Sequence, residues 1–183
     1  MKNAKYILRL TLSLLLITSL VAAALAGVNA LTKDRIAQIQ QEKTASAMKA
    51  VLPGFESFVS CDFTDATGLV QNVYVPEGEH ANAYVAEVTP NGFGGSIVLM
   101  VGVQEGKVTG ISVVSHAETA GLGAVIADQN AKGDAFRQQF AGQNGTLAVD
   151  KDGGTIDAIA GATISSRAVT QGVNAALCVQ LGE

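Results

Sequence analysis

The 183-residue chain has no tryptophan, only three prolines, two cysteines and two histidines. The cysteines, Cys61 and Cys178, show no CxxC spacing, and His80 and His116 are far from them and from each other. This excludes a zinc-type ligand set and makes a hydrolytic triad a poor fit. Two thiols suit either one disulfide or two unpaired side chains. Net charge is −4 and no basic run follows the N-terminus, which argues against a nucleic-acid partner. His80 sits in a polar stretch and is read as solvated.

Charge is also missing between Arg9 and Lys33. The segment 10–30 is apolar and long enough to cross a bilayer as a helix. Lys2, Lys5 and Arg9 precede it, while Asp34 separates Lys33 from Arg35 after it. That bias favours a cytoplasmic N-terminus at 1–9 and a domain, 31–183, on the outer side. A cleaved signal peptide is the rival reading, since Val28-Asn29-Ala30 loosely fits a small-x-small site, but the apolar run exceeds the usual signal core.

What is abundant is glycine, with 20 residues. Many glycines in a small domain point to tight turns and to backbone lying close to a ligand. A helix is expected over 32–51, capped by Thr32 and ended by Pro53-Gly54. Strands are expected at Phe55–Ser60, Val70–Val75 and Ala83–Val88. Ser96–Val103 and Lys107–Ser115 flank Gln104-Glu105-Gly106 as a hairpin whose buried face the alternation leaves undecided. Short helices are expected in 124–130 and 134–140, and a longer one in 165–181. The fold class is α+β with a mostly antiparallel sheet.

Two glycine-containing stretches lack the required pattern. Gly92-Phe93-Gly94-Gly95 resembles a phosphate loop, but Ile97 stands where the GxGxxG pattern needs glycine, and a strand follows instead of a helix. The segment from Asp150 to Gly161 has Thr155 at the sixth position and Gly161 at the twelfth, against the calcium-loop requirement.

The informative stretch is Asp157-Ala158-Ile159-Ala160-Gly161-Ala162-Thr163-Ile164-Ser165-Ser166. Small residues precede a hydroxyl cluster at the start of a helix, where unpaired N–H groups and the dipole favour a phosphate. Gly161 and Ala162 leave room for a bulky group, and Thr163, Ser165 and Ser166 supply hydroxyls. The residues alone leave two readings open: an anion site, or a serine that only caps the helix.

Asp157-x-x-Ala160-Gly161-Ala162-Thr163 resembles the flavinylation motif of the FMN-binding domain family, with Ala160 where that family usually has Ser or Thr. Upstream, His116-Ala117-Glu118-Thr119-Ala120-Gly121-Leu122-Gly123, Phe140-Ala141-Gly142 and Asp152-Gly153-Gly154-Thr155 are similar to the G subunit of Rnf complexes. That family usually has proline at the position of Ala120, often tyrosine at that of Phe93, and a tryptophan before the Phe-x-Gly.

The resemblance implies FMN joined by a phosphoester to Thr163 by a flavin transferase that takes it from FAD. It implies a membrane-held electron relay in an ion-translocating (Na⁺ or H⁺) ferredoxin:NAD oxidoreductase complex, with other Rnf subunits as partners and no metal on this subunit. The cofactor-binding residues it implies are Glu118, Thr119, Gly121, Leu122, Gly123, Gly161, Ala162, Thr163, Ser165 and Ser166. Leu122 would face the ring, Thr119 would hydrogen-bond it, and glycines 121 and 123 would permit close approach. Glu118 would either exchange protons near the flavin or order the loop, with His116 a weaker candidate of the same kind. Lys151 would balance the phosphate or be merely exposed. A stand-alone membrane-anchored flavoprotein and a cofactor-free anchored domain are the alternatives.

Overall fold

The computed structural model describes residues 2–78 and 82–182, so His80 lies outside the described residues. The chain forms two compact units, Met1–Glu42 and Lys43–Glu183. Helix α1, Lys2–Val51, contributes to both. It is unbroken at Thr32, contrary to the expected cap. The Thr32 hydroxyl donates to the Val28 carbonyl at 2.9 Å, the back-bonding available to a threonine inside a helix. In the first unit α1 is long and apolar enough to cross a membrane, and its leucines and isoleucines are exposed.

The second unit is built on a five-stranded antiparallel sheet. Its strands are β1 (Phe58–Cys61), β3 (Val70–Pro76), β4 (Ala83–Val88), β5 (Val98–Gln104) and β6 (Lys107–Ser115), in the order β1-β3-β4-β5-β6. β2 (Phe63–Thr64) pairs separately with the C-terminal β7 (Gln180–Leu181). The fold is α+β, and its main sheet carries apolar side chains on both faces. On one face, Ala86, Val88, Leu99, Val101 and Val103 pack with Val169, Val173 and Ala176 of α3 (Thr163–Leu177). On the other, Val85 and Met100 pack with Ala47, Val51 and Leu52 at the end of α1. Alternate residues along β4 and β5 therefore go to opposite cores, as the two-residue period of a strand requires.

The β5–β6 hairpin turns on two residues, not three. Glu105 and Gly106 both have positive φ, 52° and 71°, the backbone of a type I′ turn. The pairing shifts between Gly102↔Gly110 and Val103↔Val108, leaving Thr109 as an extra residue in β6. This bulge breaks the alternation and brings Val108 and Ile111 to the same core. Thr109 uses its position to donate to the Val51 carbonyl. Gly102 has no Cβ for a related reason: one there would lie 2.3 Å from that same carbonyl oxygen.

The expected helix in 124–130 is a single 3-10 turn, Gly123–Ile126. The chain then reaches α2, Ala131–Gln138, capped by the Asn130 side chain, which accepts from Lys132 N and Gly133 N at 3.0 Å. Cys61 and Cys178 are free thiols, half-buried and exposed respectively. They flank the β2–β7 ladder in an offset register, in which Phe63 faces Leu181 and Thr64 faces Gln180.

Candidate functional site

The helix carrying the hydroxyl cluster begins at Thr163, two residues earlier than its pattern suggests. Gly161 adopts φ 78°, which reverses the chain, and Ala162 stands at the cap position with no side-chain cap. The capping reading of the serines therefore fails. Ser166 is fully buried. Its hydroxyl donates to the Ala162 carbonyl at 3.0 Å and accepts from Ile159 N at 3.0 Å. It fastens the 159–162 loop onto the helix and does not line the cavity described below.

That loop is held from outside as well. Asp150 Oδ1 accepts from Ala158 N at 3.1 Å, and Gln139 bonds both the N–H and the carbonyl of Asp157, at 2.7 and 3.3 Å. Arg167, one turn into α3, makes a two-pronged bond to Asp152 at 2.6 and 2.5 Å. The Arg167 side chain holds the Asp152 carboxyl below the usual carboxylate range. Asp150 is lowered in the same way, first by the Lys151 side chain. Lys151 is thus paired with Asp150 at 3.0 Å and is not among the residues that line the cavity described below.

The 116–123 loop meets the start of α3 through Glu118. This carboxylate is buried, with Oε2 accepting from the Ser165 hydroxyl at 2.7 Å and Oε1 from Gly94 N at 3.1 Å. Its backbone N–H donates to His116 Nδ1 at 3.2 Å. Glycines make the space. A Cβ on Gly92 would lie 2.1 Å from Oε1, and one on Gly123 2.3 Å from Oε2. Gly123 therefore leaves room for the Glu118 carboxylate to pack against its backbone.

Between these loops opens a cavity of about 390 Å³, within the range of small-molecule sites. It is lined by Phe93, Glu118, Thr119, Leu122, Gly123, Gly161, Ala162, Thr163, Ile164 and Ser165. Eight of the ten expected cofactor-binding residues thus converge. Gly121, with φ 75°, forms the turn beside the cavity and lines a neighbouring one with Asp157 and Ala160. The sequence pattern did not single out Phe93 and Ile164. Outside α1, the exposed large apolar side chains among the described residues are Val59, Phe93, Leu122 and Ile164, and the last three rim this cavity. Such clustering marks a surface that a partner or ligand covers.

Hydroxyl chemistry separates Thr163 from its neighbours. Ser165, Ser166 and Thr170 all donate internally. The half-buried Thr163 hydroxyl has no hydrogen-bond partner among the described residues.

The FMN-binding domain family model matches residues 92–178, and that of the RnfG N-terminal region matches residues 1–51. The G subunit of the ion-translocating oxidoreductase complex of Aliivibrio fischeri (strain MJ11) is 36% identical over 163 residues, covering 81% of this chain and 78% of the relative. The chain belongs to the G-subunit family of Rnf-type ion-translocating oxidoreductase complexes. The family's reach extends to Methanosarcina acetivorans, whose G subunit is 32% identical over 97% of this chain and 96% of its own. The G subunit of the proton-translocating ferredoxin:NAD(+) oxidoreductase complex of Clostridium ljungdahlii is 45% identical over 55% of each chain. In this Rnf-family chain, the FMN-binding match begins at Gly92, beside Glu118 Oε1, and runs through α3.

Proposed function

We propose that this chain is the electron-relay subunit of a membrane-bound, ion-translocating ferredoxin:NAD oxidoreductase complex, and that it carries FMN on Thr163 through a phosphoester. The observation that carries this reading is the unpartnered Thr163 hydroxyl, at the uncapped start of α3, in a cavity rimmed by three exposed apolar side chains. The residues fit the group. Phe93, Leu122 and Ile164 offer apolar surface to a flat aromatic ring. The first turn of α3 offers backbone N–H groups and a positive dipole end to a phosphate.

Thr163 is the nucleophile in the loading step. Its oxygen would form one P–O bond to the flavin-side phosphorus of FAD, with the pyrophosphate P–O bond broken, AMP released and the threonine proton lost. A flavin transferase supplies the base and holds FAD. Once attached, flavin supplies one- and two-electron transfer, and the protein's share is positioning and electrostatics. Thr119, which also lines the cavity, provides a second hydroxyl for hydrogen bonding. α1 anchors the chain through 10–30, with residues 1–9 cytoplasmic and the domain outside.

Co-expression with a flavin transferase, followed by denaturation and ultraviolet-excited fluorescence of the protein band, tests the attachment. Wild type is expected to fluoresce and Thr163→Ala to be dark. A dark wild type, or an equally bright Thr163→Ala, overturns the reading.

A further inference from the structure

Glu118 is a buried carboxylate with no ion-pair partner among the described residues. The ion pairs among the described residues join Lys49 to Glu56, Arg137 to Asp134, Lys151 to Asp150 and Arg167 to Asp152. Arg137 also donates to the carbonyls of Ile126 and Asp128, so its guanidinium is occupied on the far side of the 3-10 turn. His116 turns an accepting nitrogen toward the Glu118 backbone. The carboxylate is satisfied only by neutral donors, Gly94 N–H and the Ser165 hydroxyl. Gly92 and Gly123 close around it so tightly that even a methyl group finds no room.

We propose that Glu118 sets the reduction potential of the flavin, holding it low with an uncompensated negative charge in the cavity wall. It is a positioning residue as well, because its two hydrogen bonds tie the 92–95 loop to the first turn of α3. The inference rests on the reading of this cavity as the flavin site.

Reduction brings electrons into the cavity, and a fixed negative charge beside them opposes their arrival. The opposition is stronger where water is excluded. The start of α3 acts in the other direction, but a helix end amounts to roughly half a positive charge. A full carboxylate charge in the same wall outweighs it. Proton exchange is the weaker role for Glu118, since both oxygens are already committed and are enclosed by backbone.

The test uses the full-length, flavin-loaded protein. Glu118→Gln removes the charge at nearly constant shape. Its flavin content is read by fluorescence after denaturation, and the potential is taken on the loaded fraction. Its midpoint potential should rise enough to change the reduced-to-oxidised ratio at least tenfold, which is about 30 mV for a two-electron couple. Ser165→Ala keeps the charge and removes one of its two donors, and should lower the potential below that of wild type.

An unchanged potential in loaded Glu118→Gln overturns the proposal. So does a rise in Ser165→Ala equal to that of Glu118→Gln, because packing and not charge would then be responsible. If Glu118→Gln takes up no flavin, Ser165→Ala decides alone: a potential below wild type upholds the proposal, and one at or above it overturns it. Failure of the flavin reading itself is distinct, since wild type would then be dark after denaturation.

Discussion

Tyr84 on β4 donates its phenolic proton to the carbonyl of Ala176 at 2.8 Å, near the C-terminal end of α3. The helix that presents Thr163 at one end is thereby pinned to the sheet at the other. Burial pushes the phenol up to about 12.

Tyr84→Phe is expected to lose about 1 kcal/mol of stability, the net worth of one hydrogen bond. The pH dependence has a definite sign. The folded state keeps the phenol proton above pH 10, where the unfolded chain releases it. The Tyr84 contribution is therefore complete below pH 10 and is lost as pH rises toward 12. Denaturant melts of wild type and Tyr84→Phe across this window should converge. Curves that stay parallel would contradict the burial of this phenol.

Gly92→Ala and Gly123→Ala each place a methyl well inside van der Waals contact with a Glu118 oxygen, at 2.1 and 2.3 Å. Each is expected to cost about 1–3 kcal/mol, the usual range for overpacking. Combining either with Glu118→Ala removes the nearest obstacle, leaving Ile97 Cδ1 at 2.7 Å from the Gly92 position and Ser165 Oγ at 2.6 Å from the Gly123 position, and should give a double mutant more stable than the sum of the single losses predicts. Thermal melts of the three variants measure this, and strict additivity would refute the contact.

Asn174 brackets the backbone of Leu147, accepting from its N–H and donating to its carbonyl, both at 2.8 Å. Asn174→Ala strands two backbone groups beside a buried side chain. A loss of about 2 kcal/mol or more is expected. Hydrogen exchange of the Leu147 amide should accelerate more than that of the α3 core, and unchanged protection there would sink the assignment.

Cys178 is exposed, whereas Cys61 is half-buried. With the domain outside the membrane, a membrane-impermeant maleimide added to intact cells should label Cys178 without detergent. Labelling that appears only after lysis would reverse the proposed orientation.

The strands at Ala83–Val88 and Lys107–Ser115 were legible to the residue, because turn residues bound each apolar run. The buried face of β6 was not, because the Thr109 bulge sets Val108 and Ile111 three apart on one side. Thr32 misled because the residue types that cap a helix also bond back inside one. At the site, the resemblance to the FMN-binding domain family joined the Glu118 loop to the Thr163 helix start, and in the structure both line one cavity. The resemblance did not reveal that Ser166 faces inward to bond Ile159 and Ala162, or that Gly123 packs on the Glu118 carboxylate, because neither contact leaves a mark on residue type or spacing. Phe93 and Ile164 carried a fainter signal, each a large apolar residue in an otherwise small or polar stretch.

The idle hydroxyl of Thr163 also bears on the order of events in the life of the molecule. No internal bond of the described fold is given up when that oxygen is capped, so the domain can finish folding before any cofactor arrives. On the proposed attachment, maturation is a separate, later event on an already folded domain, and the fraction of chains carrying the group records the history of each molecule instead of the flavin concentration around it.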